Sequence, residues 1–214
     1  MLLAAGRGER LRPLTDTLPK PLVEVQGRSL IERHLDALGR AGIEHVVINM
    51  GWLGEQLAER IGSGERYGVS VVFSDERDGI LETAGGIRNA LPLLGRAPFL
   101  VVNADVFTDM ALPCPLPGDG EMAHLVLVPK PAFKATGDFD IQDGRLVNAD
   151  SPAYTFSGVA TYRPAFFAEL EPGRRPLAPL LREAVAAGRV GASVYTGTWE
   201  DVGTAERLAA LNNA

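Results

Sequence analysis

Leu2-Leu3-Ala4-Ala5-Gly6-Arg7-Gly8-Glu9-Arg10-Leu11-Arg12-Pro13-Leu14-Thr15, followed by Pro19-Lys20-Pro21, opens the chain and decides how the rest of it is read. A short apolar strand runs straight into two glycines. Glycine at such a turn lets the backbone approach a phosphate closely and offer it N–H groups. The apolar run is short beside the five or so residues usual for a strand, so further residues are expected before Met1. The pattern is not the dinucleotide fingerprint, because Leu11 stands where a third glycine belongs, and no Gly-Lys-Ser/Thr follows to make a Walker loop. A bare Gly-x-Gly reads as an ordinary turn. Arg10 and Lys20, ten residues apart, change that reading. Pro19 and Pro21 restrict the backbone on both sides of Lys20, a restraint that a solvated lysine does not require.

Working outward, Ser29-Leu30-Ile31-Glu32 has the form of a capping box, with Ile31, Leu35 and Leu38 following at helical spacing and Gly42 as the stop. A buried strand is expected at 46–48, a helix from about 53 to 61, and a strand at 69–73. Thr83 is expected to cap a helix through 91. The strand at 99–102 ends on Asn103-Ala104-Asp105. Strands alternating with helices at this spacing give βαβ units and a mostly parallel α/β sheet, and continuously apolar strands place that sheet between two helical layers. Beyond about residue 120 the strands at 124–128, 139–141, 146–147 and 156–162 are joined by turns, which makes the sheet mixed. Helices near 164–170 and 179–187, a strand at 190–195 and a terminal helix opened by Thr204 complete the chain. One domain over 1–214 is expected, with a first half (1–120) and a β-rich second half (121–214).

Composition narrows the functional classes. Net charge is −6, which argues against non-specific nucleic-acid binding. The charge is uneven: between Arg7 and Lys20, four cations (Arg7, Arg10, Arg12, Lys20) face two acids (Glu9, Asp16), a local +2 that leaves −8 on the remainder. A small cationic patch on an acidic chain suits a compact polyanion. No apolar run approaches the ~18 residues of a membrane span and no leader is visible. The lone cysteine, Cys114, cannot staple a domain and has no catalytic pattern around it, so a cytoplasmic location is expected.

Asp105 ends a buried strand, where ligands bind in open α/β sheets, and Asp201 follows the last strand between tryptophan and glycine neighbourhoods. Two carboxylates with phosphate oxygens are a common magnesium arrangement, although spacing alone reads either aspartate equally as a turn former. Asp109 reads as a turn or cap residue. His34, His45 and His124 read as core-edge or surface histidines, and Trp52 and Trp199 as packing anchors.

The opening motif resembles the signature of the sugar-1-phosphate nucleotidyltransferases, the sugar-nucleotide pyrophosphorylases. The likeness continues through Ala41-Gly42-Ile43, Leu81-Glu82-Thr83-Ala84-Gly85-Gly86, Asn103-Ala104-Asp105 and Trp199-Glu200-Asp201-Val202-Gly203-Thr204. The resemblance implies a Rossmann-like mixed sheet flanked by helices, and a Mg2+-dependent attack of a sugar 1-phosphate on the α-phosphorus of a nucleoside triphosphate. It implies that Arg10 grips the triphosphate and that Lys20 bridges the reacting phosphates. The same resemblance puts the metal on Asp105 and Asp201. Ala4, Gly6, Gly8, Glu82 and Thr83 fall at nucleotide-binding places, and Asn103, Gly137 and Ser157 at sugar-binding ones.

A base reader is expected within Ser74-Asp75-Glu76-Arg77-Asp78, where thymidylyl members carry a glutamine that this chain lacks. The Glu-Lys-Pro segment by which many relatives hold sugar hydroxyls is also missing, and Asp150-Ser151-Pro152 stands nearby. Within the family, the bacterial enzymes that join UTP to N-acetylmuramic acid 1-phosphate in cell-wall recycling are the members resembled most. The absence of Glu-Lys-Pro is compatible with such a 3-O-substituted sugar. Guanylyl transfer to mannose 1-phosphate, thymidylyl transfer to glucose 1-phosphate and cytidylyl transfer to phosphocholine are the alternatives. A glycosyltransferase using Asn103-Ala104-Asp105 as a degenerate D-x-D motif would leave Arg10 and Lys20 unexplained. A non-catalytic sensing module would be expected to lack one of Arg10, Lys20 and the two aspartates, and all four are present. No hexapeptide repeats of an appended β-helix occur.

Overall fold

A computed structural model describes residues 1–76, 79 and 81–213. In chain order its elements are β1 (Leu2–Leu3), β2 (Glu24–Val25), β3 (Arg28–Ser29), α1 (Leu30–Arg40), β4 (His45–Met50), α2 (Gly54–Ile61), β5 (Ser70–Asp75), α3 (Glu82–Leu94), β6 (Phe99–Asn103) and β7 (Val106–Thr108). There follow β8 (Ala123–Pro129), β9 (Asp140–Gln142), β10 (Arg145–Val147), β11 (Tyr154–Tyr162), α4 (Ala165–Ala168), α5 (Leu177–Ala186), β12 (Val190–Val194), β13 (Trp199–Asp201) and α6 (Ala205–Asn212). The chain forms two compact units, one of Met1–Ile80, Asn103–Pro113 and Glu200–Ala214, the other of Leu81–Val102 and Cys114–Trp199. The units interleave along the sequence. No helix among the described residues is long and apolar enough to cross a membrane.

In the first unit β4 lies between β1 and β5, parallel to both, with Leu2 opposite Ile48 and His45 to Met50 opposite Ser70 to Asp75. Val46, Val47 and Ile48 are all buried in succession, as a strand covered on both faces requires. α1 buries Leu30, Ile31, Leu35 and Leu38 along one stripe. It ends in a Schellman motif on Gly42, with Gly42 N–H on the Gly39 carbonyl and Ile43 N–H on the Leu38 carbonyl, both 3.0 Å. β2 and β3 form a hairpin with little signal in the sequence, because its turn is Gln26-Gly27 in place of the commoner Asn-Gly; both residues have positive φ. That hairpin receives the terminal helix. Val25, Leu30 and Val202 form a fully buried cluster joined by Phe107, Leu208 and Leu211, and Gln26 N–H donates to Asn212 Oδ1 at 2.6 Å. Thr204 caps α6, accepting from Arg207 N–H as its sequence position suggested.

In the second unit β11 pairs antiparallel with β6 and with β8, and β12 runs parallel to β8. Parallel and antiparallel pairs thus coexist, with the antiparallel ones in the turn-rich stretch. β11 carries a bulge between Phe156 and Val159. Ser157 sits in it, its hydroxyl donating to the Val126 carbonyl (2.7 Å) and accepting from Val159 N–H. Its own carbonyl receives the Trp199 indole at 2.9 Å.

Two local expectations need correction. Ser29 is the N-cap of α1 but makes no cap bond to the backbone. Its hydroxyl instead donates to Glu32 Oε2 at 2.7 Å, while Glu32 Oε1 receives Tyr67 Oη (2.8 Å), Arg66 (3.2 Å) and Arg60 (3.3 Å). A buried carboxylate recruits whatever donors surround it, so the capping box gives way to a network tying α1 to α2 and to the turn at 65–67. Thr83 does not cap α3 either. That helix starts at Glu82, whose φ is +57°, and its Ala84 and Gly85 N–H groups are satisfied by the Arg175 carbonyl. A carbonyl distant in sequence leaves no local trace.

Burial alone would raise the Glu32 pKa, but the bonds from Ser29, Arg60 and Tyr67 prevail and lower it from 4.5 to about 2. A depressed carboxylate stabilises the fold above its unfolded pKa, and that stability is lost as pH falls from 4.5 towards 2. Near neutral pH, Glu32→Gln should cost on the order of 3 kcal/mol in denaturant titrations. The gap from wild type should shrink through that acid window. A gap that does not vary with pH would contradict this reading.

Candidate active site

Gly8 has φ +68° and leads into a tight turn over Glu9–Leu11, with Leu11 N–H on the Gly8 carbonyl (2.9 Å) and Leu11 buried. Thr15 Oγ1 donates to the same carbonyl at 2.8 Å. A Cβ at position 8 would meet Lys20 Cβ at 3.0 Å and Thr15 Cγ2 at 3.1 Å, so glycine is required for its conformation and for its contact with the Lys20 stem. Pro19 is extended and Lys20–Leu22 make a further single turn, closed by Val23 N–H on the Lys20 carbonyl. The two prolines therefore fix the direction in which Lys20 leaves the chain.

That direction leads to two carboxylates. The Lys20 side chain is 9% exposed, and its ammonium donates to Asp105 Oδ2 and lies 3.7 Å from Asp201 Oδ1. Asp105 follows the end of β6, where Ala104 N–H reaches the Leu3 carbonyl (3.0 Å); Asp201 ends β13, which pairs with β7. Val202 N–H donates to the Asp105 carbonyl at 3.3 Å and keeps the two aspartate segments side by side. Arg10, 64% exposed, places Nη2 3.3 Å from Asp201 Oδ2. Four residues singled out from the sequence, Arg10, Lys20, Asp105 and Asp201, thus converge within the first unit.

Three neighbours carried no sequence signal. Arg207 Nη1 donates to the Asp201 carbonyl at 2.7 Å and lies 3.5 Å from its carboxylate. His34, buried on α1, donates Nε2–H to the Val106 carbonyl at 2.8 Å and so steadies the residue after Asp105. Burial outweighs that bond and the Asp105 charge and lowers the His34 pKa to about 4, leaving a neutral imidazole. Asn49 accepts Ala4 N–H at 2.6 Å and donates to Glu76 Oε1 at 2.8 Å. The Ala4 amide is therefore engaged within the protein. The glycine and proline patterns of the opening motif reveal themselves locally; these three contacts come from tertiary packing.

The remaining candidates lie as follows. Gly6 is exposed with open space where a Cβ would stand. Ser74 and Glu76 are buried and Asp75 exposed, with burial raising the Glu76 pKa against the Asn49 bond, while Arg77 and Asp78 lie outside the described residues. Asn103, half-buried, ends β6. In the second unit, Glu82 Oε1 is ion-paired with Arg174 Nη2 at 2.5 Å, and Thr83 lies within α3. Gly137 lies against backbone, since a Cβ there would meet the Tyr154 carbonyl oxygen at 2.4 Å and that of Pro152 at 2.5 Å. The Ser157 hydroxyl donates its proton to the Val126 carbonyl and accepts from Val159 N–H inside the bulge. Cys114 is buried, its thiol pKa pushed up to about 11 by burial.

Chemically, three cations and two carboxylates meet at a glycine-rich turn, an arrangement suited to holding a polyphosphate. Two carboxylates aimed at one cationic position also match the donor set of a magnesium ion, which takes one or two carboxylates and completes its shell with phosphate oxygens and water. Among the described residues no group of three or more acidic, histidine or cysteine side chains is placed to hold a metal ion.

Comparison with known proteins shows the family. The nucleotidyl transferase family matches residues 1–116. An N-acetylmuramate alpha-1-phosphate uridylyltransferase of Neisseria meningitidis is 48% identical over 97% of this chain and 94% of its own, and one of Caulobacter vibrioides is 34% identical over 95% and 90%. A mannose-1-phosphate guanyltransferase of Candida albicans is 41% identical, but over 51% of this chain and 31% of its own. Among solved structures, a Bacillus anthracis protein in complex with sucrose superposes with a TM-score of 0.85 at 21% identity, covering 99% of this chain and 92% of that one. A CTP:phosphocholine cytidylyltransferase of Streptococcus pneumoniae does so with 0.76 at 22%, covering 99% and 96%. These two share the fold, a mixed sheet flanked by helices. With the family matched over the half that carries Arg10, Lys20 and Asp105, and relatives matched end to end, the chain belongs to the nucleotidyl transferase family.

Proposed function

We propose that this enzyme transfers UMP from UTP to N-acetylmuramic acid 1-phosphate and releases pyrophosphate. The observation that carries the chemistry is the convergence of Lys20 and Arg10 on the Asp105–Asp201 pair. End-to-end identity with two uridylyltransferases supports the substrates, whereas the guanyltransferase likeness is confined to about half of this chain. A nucleoside triphosphate substrate supports a cytoplasmic location for this reaction.

A sugar-phosphate oxygen attacks the α-phosphorus in line, a new P–O bond forms, and the bond to the bridging α–β oxygen breaks with its electron pair leaving on pyrophosphate. A phosphomonoester is largely dianionic at pH 7, so the nucleophile requires no general base. This accords with a site whose nearest histidine, His34, is buried and committed to a backbone carbonyl. What the reaction requires is positioning and charge neutralisation. Lys20, fixed by Gly8 and the flanking prolines, presents its ammonium to the reacting phosphates. Arg10, on the exposed side, holds the outer phosphates and the departing pyrophosphate. Arg207 braces Asp201 from behind. Mg2+, held by Asp105 and Asp201 with substrate oxygens, would neutralise further phosphate charge.

Two measurements test this. Turnover of UTP, CTP, GTP and dTTP against N-acetylmuramic acid 1-phosphate, N-acetylglucosamine 1-phosphate, glucose 1-phosphate, mannose 1-phosphate and phosphocholine should be fastest for UTP with the muramic acid derivative. Preference for GTP with mannose 1-phosphate would overturn the assignment. Lys20→Ala should lower kcat by at least ~100-fold, as loss of ~3–4 kcal/mol of transition-state stabilisation implies, with an unchanged circular dichroism spectrum. Retention of about a tenth of wild-type kcat would remove Lys20 from this role.

A further inference from the structure

Arg7 stands between the two glycines of the opening turn, exposed, and takes no part in the convergence described above. The other cations of the stretch are each paired with an acid: Arg10 with Asp201, Arg12 with Asp16, and Lys20 with Asp105 and Asp201. Among the described residues Arg7 has no carboxylate partner. Its guanidinium instead lies over the ring of Trp52, 4.4 Å from the centroid.

Trp52 is placed there deliberately by the backbone. Its main-chain N–H donates to the Ala5 carbonyl (3.3 Å) and its indole N–H to the Thr15 carbonyl (2.9 Å), so both ends of the residue are fastened to the glycine-rich segment. Gln56 adds a third tie, to the Thr17 carbonyl at 3.1 Å. The next residue, Leu53, has φ +53°, a costly conformation for a branched side chain and one that persists only where the surroundings impose it.

We propose that Arg7 is a further polyphosphate-binding cation, kept ready on the face of Trp52 and transferred to the triphosphate or pyrophosphate when either binds. An exposed cation resting on a half-buried aromatic ring is held weakly, whereas a charge-assisted bond to a phosphate is among the stronger polar contacts. The exchange is therefore favourable, and the glycines on either side leave the Arg7 backbone free to follow. Trp52 acts as the positioning residue, sparing Arg7 the loss of rotamer freedom on binding. The proposal rests on the nucleotidyl-transfer reading but not on the identity of the sugar.

The experiment uses the intact enzyme in magnesium buffer and follows tryptophan emission during titration with pyrophosphate and then with UTP, beside steady-state constants. Wild type should show a saturable emission change that is lost in both Arg7→Gln and Trp52→Phe. Arg7→Gln should raise KM for UTP and Kd for pyrophosphate about tenfold, the loss of one charge-assisted bond, while KM for the sugar phosphate stays within about twofold. Arg7→Lys should recover most of that affinity. An emission change that survives Trp52→Phe, or an Arg7→Gln enzyme with unaltered pyrophosphate affinity, overturns the proposal. Failure of wild type to turn over any sugar phosphate would overturn the substrate reading, and the pyrophosphate titration would still decide Arg7.

Discussion

The Lys20 ammonium, nearly buried, donates to Asp105 and lies 3.7 Å from Asp201, and the arrangement of three distant chain segments depends on that contact. An isolated lysine in such a place would be expelled or neutralised, because burying a lone charge is expensive. Two aspartates facing one another without a cation would raise one another's pKa by like-charge repulsion. Each group makes the others tenable. The site is thereby charged and ordered before any substrate arrives, which is what electrostatic preorganisation demands of a phosphoryl-transfer enzyme.

The surrounding fold is organised to hold that contact. Gly8 gives the Lys20 stem room, β6 delivers Asp105, and the β7–β13 pair sets Asp201 next to it. Behind this layer, His34 and Arg207 hold backbone carbonyls next to and on the two aspartates, and α6 closes over the β2–β3 hairpin. The Glu32 network does for α1, α2 and the turn at 65–67 what Lys20 does for the aspartates, by gathering donors around one buried carboxylate.

Much of this was legible in the sequence where constraint is local. Glycine at a positive-φ turn, prolines around a lysine and apolar runs of strand length are written into neighbouring residues, and Gly8, Lys20 and β4 follow from them. The terminal cap on Thr204 and the stop on Gly42 are of the same kind. Contacts made by tertiary packing were not legible. Ser29 looked like half of a capping box until Tyr67, Arg60 and Arg66 competed for its partner. Thr83 looked like a cap until the Arg175 carbonyl took that place. Nothing local marks Asn49 as the acceptor for Ala4, or Arg207 as the brace of Asp201, and Trp52 read as a packing anchor because its arginine is 45 residues away in sequence.

The account turns on one cationic position shared by Asp105 and Asp201. A crystal structure with UTP and Mn2+, using anomalous scattering to locate the ion, tests it most directly. The account predicts an anomalous peak at bonding distance, roughly 2.2 Å, from both carboxylates and from phosphate oxygens, with the Lys20 ammonium turned onto a phosphate. An ion bound away from these aspartates, with Lys20 still against Asp105 in the presence of nucleotide, would contradict it.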